Sequence, residues 1–326
     1  MQSNLRVGID SRSLAGGPPG VATCVANLIR HLPCLDPFGY PRPRNNLFWN
    51  LWWGNLLPLW RSWRIFHAPA YTCPLWCPVP VVLTVHDVSY LAGPEYYPYH
   101  LDRFRLAFYR ASIRRADLIL VPSEFSRSEL ARFFPGLGER VRVTQWGVHS
   151  DFFPDADARA TVRGKFDLEG SFLLHVGDVH RRRNLPLLAE AATLSGIPLV
   201  AVGRLLEGEL PAGVRRFEGL SVTDLRGLYH EASALVYASE YEGFGLPILE
   251  AMACGLPVVA VPRASLPEVG GDAAIWVEGD PTHFAEGIRK AVEEREEFSR
   301  LGIERASSFT WERTAELTLR AYREAV

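Results

Sequence analysis

Lysine is almost missing from this chain of 326 residues. Lys165 and Lys290 are the two present, and arginine supplies the rest of the positive charge. Pyridoxal-phosphate chemistry needs a Schiff-base lysine, and neither residue lies in a motif. No excess of one charge is present either. A formal net charge of −2 argues against a general nucleic-acid binder, which carries a basic surface. Cysteine is sparse and odd in number, at Cys24, Cys34, Cys73, Cys77 and Cys254. No basic stretch followed by an apolar run opens the sequence, so a reducing cytoplasm is expected rather than a disulfide framework. Cys73-Pro-Leu-Trp-Cys77 could supply half a metal site, but no second Cys or His pair stands at zinc spacing. No apolar run reaches the roughly 18 to 20 residues of a membrane span. The nearest, Leu47 to Trp63, is interrupted by Asn50, Asn55 and Arg61. Its tryptophans (Trp49, Trp52, Trp53, Trp60, Trp63) leave two readings open: a core helix, or a surface meeting a membrane or a lipid-linked acceptor. No short-period repeat is visible.

What is present is ordinary globular material, 48% hydrophobic and 22% charged, long enough for two domains. Short apolar strands alternate with helical periods. Leu5–Ile9, Ile65–His67, Val79–Val85, Leu118–Val121 and Val141–Thr144 read as strands. Val21–Leu32, Leu101–Ala116 and Glu124–Phe134, the last capped by Ser123, read as helices. Asp10 to Gly20 reads as a loop. A polar stretch, Asp151 to Arg163, follows, and the alternation restarts. Phe172–Val176, Leu199–Val202, Leu235–Ala238 and Val258–Val261 are strands, and Leu185–Leu194, Thr223–Ala232 and Pro247–Cys254 are helices. This order predicts parallel sheets wrapped by helices, an α/β class. The expected division is 1–150, 151–310 and a terminal amphipathic helix over 311–326. Ligands in such folds bind at strand carboxyl ends.

The most informative segment is Glu242-Gly-Phe-Gly-Leu-Pro-Ile-Leu-Glu250, two carboxylates with seven residues between them. Gly243 and Gly245 disfavour a helix interior, and Pro247 fits a first helical position. Strand, loop and helix follow, the helix ended by Gly255. A helix N-terminus presents N–H groups to an anion. One carboxylate lies on the loop beside it and one lies a turn inside. A diphosphate flanked by two polyhydroxylated parts, a nucleotide sugar, suits this layout. Gly16-Gly17-Pro18-Pro19-Gly20 offers a second anion cradle. Asp155-Ala-Asp157 has the D-x-D form of a metal-dependent transferase, but its polar context reads as solvated linker.

Tyr241 to Ala260 closely resembles the signature of glycosyltransferase family 4. Leu266 to Ala274, Val176-Gly177 with Arg182-Arg183-Asn184, Thr84-Val-His-Asp87 and Asp117 to Ser126 extend the likeness over nearly the whole chain. The resemblance implies a GT-B fold. In that fold two Rossmann-like domains face a deep cleft, and the C-terminal helix packs back toward the first domain. It implies a retaining hexosyl transfer, with the His-Asp surroundings most like bacterial mannosyltransferases.

The resemblance also assigns roles. Glu242 contacts donor-sugar hydroxyls, and Glu250 grips the ribose; an ionised carboxylate can take both hydroxyls of a diol. Arg182 and Arg183 neutralise the diphosphate leaving group. Amides of Phe244, Gly245 and Leu246, with Gly16 and Gly17, meet sugar and phosphate. The base pocket lies near Gly219 and Leu220. His86, at a strand's carboxyl end, supports the donor sugar; His67 is a second candidate. Asp87 and Trp53 are the acceptor-side candidates. Glu242, His86 and Arg183 form the expected catalytic set. No cofactor and no metal are expected. The partners are a nucleotide-sugar donor and a glycan or lipid-linked acceptor, with a peripheral membrane contact kept open and no nucleic acid. The expected location is cytoplasmic, including the inner face of the membrane. GDP-mannose is the first donor, with a UDP sugar the alternative. An epimerase or hydrolase and a non-catalytic binding subunit are the functional rivals, separable by product analysis with and without an acceptor alcohol.

Overall fold

The computed structural model describes residues 5–16, 19–39, 61–97, 102–154 and 159–326, with side chains at 159–161 left out. Gly17, Trp53 and the Asp155-Ala-Asp157 triplet lie outside the described residues.

In chain order the strands are β1 (Val7–Asp10), β2 (Leu35–Phe38), β3 (Ile65–Ala68), β4 (Val81–Thr84), β5 (Leu118–Val121) and β6 (Val141–Val143), then β7 (Leu173–Val176), β8 (Leu199–Val202), β9 (Arg215–Phe217), β10 (Ala234–Tyr237), β11 (Val258–Ala260) and β12 (Ala274–Trp276). The helices are α1 (Pro19–His31), α2 (Ser89–Ala92), α3 (Arg103–Arg115), α4 (Glu124–Phe133), α5 (Arg159–Phe166) and α6 (Leu185–Ser195). They continue with α7 (Val222–Glu231), α8 (Leu246–Ala253), α9 (Leu266–Gly270), α10 (Pro281–Glu293), α11 (Arg295–Ser307) and α12 (Trp311–Glu324).

The chain forms two compact units. The first comprises Met1–Val88, Tyr99–Gly147 and Trp311–Val326; the second comprises Ser89–Pro98 and Val148–Thr310. Each holds a six-stranded parallel sheet, ordered β2-β1-β3-β4-β5-β6 in the first and β12-β11-β10-β7-β8-β9 in the second. Helices cover both faces of such sheets, so central strands read as continuous apolar runs. β5 (LILV), β8 (LVAV) and β10 (ALVY) are buried at every position.

In the first unit α12 buries Trp311, Thr314, Ala315, Thr318, Ala321 and Tyr322, the spacing of one helix face. The Tyr322 hydroxyl bonds His67 Nδ1 at 2.7 Å, and His67 Nε2 bonds Thr84 Oγ1 at 2.8 Å. Burial pushes the His67 imidazole down to about 3, with the neighbouring His86 adding to the shift, so it is neutral. Tyr322 therefore donates to Nδ1 while Nε2–H donates to Thr84. His67, a lesser candidate in the sequence, is a core residue that ties α12 to the sheet. Trp63 is also core: it is buried, and its indole N–H donates to Asp36 Oδ2 at 2.8 Å.

Several expectations are corrected. Asp10 to Gly20 is not all loop, because Arg12–Ala15 forms a 3-10 turn. Asp10 holds it, with Oδ1 accepting from the Arg12 backbone N–H at 3.0 Å and the guanidinium spanning both carboxylate oxygens. The polar stretch to Arg163 contains the start of α5, where Arg163 pairs with Glu231 and Lys165 Nζ with Asp224 Oδ1 at 2.7 Å. β2, β9, β12, α10 and α11 were not anticipated. β2, β9 and β12 are all edge strands. Among the described residues, no helix is long and apolar enough to cross a membrane.

Candidate functional site

The strand order of the second sheet reverses between β7 and β10. Connections leaving those two neighbours run to opposite faces, which opens a crevice at their carboxyl ends. β7 is followed by a 3-10 turn, Arg181–Arg183, and β10 by the loop that carries Glu242. Close packing of backbone fixes the first of these. Gly203, at the end of β8, has φ +148°, and a Cβ there would lie 2.2 Å from the Gly177 carbonyl oxygen.

The two loops meet in a buried ion pair. Arg183 Nη1 lies 2.5 Å from Glu242 Oε1, with the residues only 9% and 7% exposed. Ser239 Oγ donates to the same oxygen at 2.5 Å. The Arg183 guanidinium lies over the Tyr237 ring, 5.1 Å from its centroid, and donates to the Tyr237 hydroxyl, which in turn reaches Glu242 Oε1 at 3.4 Å. Burial alone would raise the Glu242 carboxyl, but Arg183, Arg182, Ser239 and His180 together hold it below its ordinary value. Glu242 is therefore an anion at neutral pH and a weak base.

Three further side chains frame this pair. His180 is buried, and burial, helped by Arg182 and Arg183, pushes its imidazole down to about 3; its Nδ1 has no partner among the described residues. His175 stacks on Tyr237 at 5.6 Å and is likewise neutral, pushed down to about 4 by burial and by Arg183. Arg182 donates to the Tyr96 carbonyl at 3.0 Å, and the Tyr96 ring lies 5.3 Å from that of Tyr241. Residues around Tyr96 thus pack beside Glu242, although their sequence neighbours belong to the first unit.

Glu242 leads into α8. Gly245 has φ +114° and caps the helix, and a Cβ there would approach Leu266 Cδ2 to 2.9 Å. Ser265 Oγ reaches the carbonyls of Glu242 and Phe244 at 2.9 and 2.7 Å, which holds the loop in place. Pro247 has no N–H, and that of Ile248 donates to the Gly245 carbonyl at 3.0 Å. Any anion contact at this end therefore falls to amides around Phe244, Gly245 and Leu246. One turn on, Glu250 is half-buried, and its Oε2 accepts from the Tyr229 hydroxyl at 2.8 Å. Burial raises Glu250 to about 7, with the Tyr229 hydrogen bond opposing the rise. Leu220 is half-buried just before Ser221, the N-cap of α7, whose hydroxyl accepts from Asp224 N–H at 3.1 Å.

The remaining candidates belong to the first unit. His86 follows β4 and is buried, with Nε2–H donating to the Pro69 carbonyl at 2.6 Å. Burial pushes it down to about 4, so Nδ1 is an acceptor, and it has no partner among the described residues. Tyr71 and Trp146 meet the imidazole edge-to-face at 5.7 and 5.1 Å. Asp87 is half-buried beside it. Gly16 ends the 3-10 turn after β1 with φ +130°, and a Cβ there would meet nothing within 4 Å.

Among the described residues, one group of three metal-competent side chains stands close together, Glu278, Asp280 and His283 at the start of α10. It is remote in sequence from every predicted site residue, and among the described residues Cys73 and Cys77 belong to no such group. Cys73 instead donates its thiol to the Ser112 carbonyl at 3.4 Å.

Sequence reasoning missed Ser239, Tyr237, Ser265 and Tyr229. Ser239 shared the Glu242 loop and was findable there. The others reach the site through the fold, from up to 23 positions away.

The chain is similar to known proteins over most of its length. A family model described as Glycosyltransferase Family 4 matches residues 6–152, and one described as Glycosyl transferases group 1 matches residues 160–307. O-antigen chain mannosyltransferase B of Escherichia coli is 34% identical over 282 residues, covering 79% of this chain and 74% of that protein. Serotype-specific mannosyltransferase WbdA of Escherichia coli is 25% identical over 292 residues, but this chain spans only 35% of its length. Sucrose-phosphate synthase from Thermosynechococcus elongatus superposes with a TM-score of 0.79 at 22% identity, covering 98% of each chain. HepE from Anabaena, solved with UDP-glucose, superposes at 0.76 with 16% identity over 98% of this chain and all of that one. At such identities the two structures establish the GT-B fold alone.

Proposed function

The chain belongs to glycosyltransferase family 4, and from that premise we propose that it moves mannose from GDP-mannose to a hydroxyl of a glycan acceptor with retention of anomeric configuration. The observation that carries the reading is the buried Arg183–Glu242 pair at the sheet's reversal point, beside the start of α8. A cation next to a helix N-terminus suits the diphosphate of a leaving nucleotide, and an ionised carboxylate suits hydroxyl donors on its sugar. The naming of two relatives as mannosyltransferases supports mannose over other hexoses.

In this scheme Arg183 and Arg182 share the negative charge that grows on the β-phosphate as the anomeric C–O bond breaks. Charge held by fixed guanidinium groups and amides makes a metal unnecessary for this step. The departing phosphate oxygen takes the acceptor proton, and the acceptor oxygen bonds to the anomeric carbon on the face the phosphate leaves. No carboxylate base is needed. Glu242 fits that scheme, because Arg183 and Ser239 already occupy it and hold its basicity down. Its work is to orient the sugar. Glu250 takes the ribose diol. His86, neutral and with a buried Nδ1 that has no partner among the described residues, supports the donor sugar in the same proposal, with Asp87 on the acceptor side.

The acceptor is proposed to be a mannose-terminated glycan, free or lipid-linked, handled on the cytoplasmic side of a membrane. The test is incubation with GDP-mannose and a mannosyl oligosaccharide, with the product followed by proton NMR. A new α-mannosyl signal from the α-configured donor is expected. A β-mannosyl product would overturn retention. Free mannose alone, formed equally without acceptor, would favour a hydrolase. Transfer from UDP-glucose but not from GDP-mannose would overturn the donor.

A further inference from the structure

Glu250 has a built partner. Tyr229 is fully buried on α7, its ring edge-on to Phe152 at 5.7 Å, so the phenol cannot swing to water. Its hydroxyl has one bond, to Glu250 Oε2 at 2.8 Å. Glu250 Oε1 makes no hydrogen bond among the described residues, and the side chain is half-buried, so this oxygen faces accessible space. A carboxylate on a helix has freedom about three side-chain bonds, and fixing one oxygen removes most of it.

We propose that Tyr229 is a positioning residue for nucleotide binding: its hydroxyl pins one oxygen of Glu250 and leaves the other aimed at the ribose diol, in the ionised form the diol requires. This rests on the donor reading above and deepens it. The consequence is a pH-dependent grip. Tyr229 from α7 and Cys254 at the end of its own helix lie beside this carboxylate, and Arg226 from α7 acts on Cys254. Arg226 is engaged with the Asp151 carbonyl at 3.1 Å and with the Phe153 ring. Cys254 is neutral, its thiol pushed up to about 12 by burial. Tyr229 itself stays protonated, since burial and the adjacent Glu250 raise it. The hydroxyl is thus the one strong donor set against the burial that raises Glu250 to about 7. A protonated carboxyl loses acceptor capacity, so nucleotide affinity falls as pH drops through that value. Removing the hydroxyl raises the carboxyl further, so the loss of affinity begins at higher pH.

The experiment is calorimetric titration of wild type and Tyr229→Phe with GDP and with 2′,3′-dideoxy-GDP, between about pH 6 and about pH 8.5. GDP should bind Tyr229→Phe about three- to tenfold more weakly at pH 7, the loss expected for the net worth of one ordinary hydrogen bond. The deficit should shrink at the alkaline end. With the dideoxy nucleotide the two proteins should agree within about twofold, since the diol is gone. A penalty equal at every pH, or equal for both nucleotides, would mean that Tyr229 only supports the fold and would overturn the proposal. Matched thermal denaturation curves guard against misfolding, and if Tyr229→Phe does not fold, Tyr229→Leu goes through the same titrations: a diol-dependent deficit that shrinks at alkaline pH supports the proposal, and a deficit equal for both nucleotides overturns it. A wild type that binds neither GDP nor UDP would overturn the donor reading and this inference with it. Normal binding with an unshifted pH profile in Tyr229→Phe would overturn this inference only.

Discussion

Replacing Arg183 with Met keeps the side-chain length and removes the cation. It leaves Glu242 buried with Ser239 as its main remaining donor. Breaking a buried pair by deleting one partner costs about 3–5 kcal/mol, because the other charge stays desolvated. In a unit of this size, each kcal/mol moves the melting temperature by roughly 2–4 °C, so a drop of about 6–20 °C is expected near pH 8. The sign of the pH dependence follows from Glu242. In wild type its carboxyl is depressed below 4.5, so the pair contributes stability above that value and loses it as pH falls through the folded pKa. In Arg183→Met the burial that opposes ionisation is no longer offset, and the carboxyl moves above 4.5. The variant's Glu242 then takes up its proton at higher pH than in wild type, so the penalty is smaller at pH 5 than at pH 8. Differential scanning calorimetry at pH 5 and pH 8, with Glu242→Gln and the double variant completing a cycle, measures this. The double variant should lose less than the sum of the singles by about 2 kcal/mol or more. A shift under about 2 °C at pH 8, or an equal loss at both pH values, would refute the reasoning.

Three other outcomes follow from the same structure. Gly203→Ala should destabilise the second unit by about 3 kcal/mol or more, because its Cβ would overlap the Gly177 carbonyl at a φ that L residues avoid; urea denaturation reads it. Tyr322→Phe should cost about 1–3 kcal/mol in the first unit, since it leaves the buried His67 Nδ1 without its donor, again by urea denaturation. Glu250→Ala should weaken GDP binding about 10- to 100-fold in calorimetry, and because it leaves the buried Tyr229 hydroxyl without its partner it should also cost the free protein about 1–3 kcal/mol in urea denaturation.

The parts of the site written in adjacent residues were legible. Gly243, Gly245 and Pro247 break the period between two carboxylates, and the structure puts a loop, a cap and a helix there. Central strands were legible because both faces are buried and the runs are apolar. Of the edge strands β6 was read, but β2, β9 and β12 were not. β2 contains Asp36-Pro37, tolerable because one side of an edge strand makes no ladder bonds, and β9 begins Arg215-Arg216, whose charged side chains an edge position leaves partly in solvent. Long-range partnerships were also hidden. Arg183 and Glu242 lie 242 − 183 = 59 positions apart, and Tyr229 reaches Glu250 across 21. No spacing rule links such pairs; only the strand order brings them together. His67 and His86 show the limit from the other side. Both end apolar strands, yet one is bonded at both ring nitrogens and the other at one, a difference set by Tyr322 at the far end of the chain.

The central claim is that the second unit grips a nucleotide diphosphate sugar through Arg183, Glu242 and Glu250. A thermal-shift panel of GDP, UDP and ADP with their sugars tests it most directly. Saturating GDP or GDP-mannose, at about 100 times Kd, should stabilise the protein by about 2.7 kcal/mol, several degrees in melting temperature, with ADP weaker. A panel in which no nucleotide shifts the transition would contradict the account.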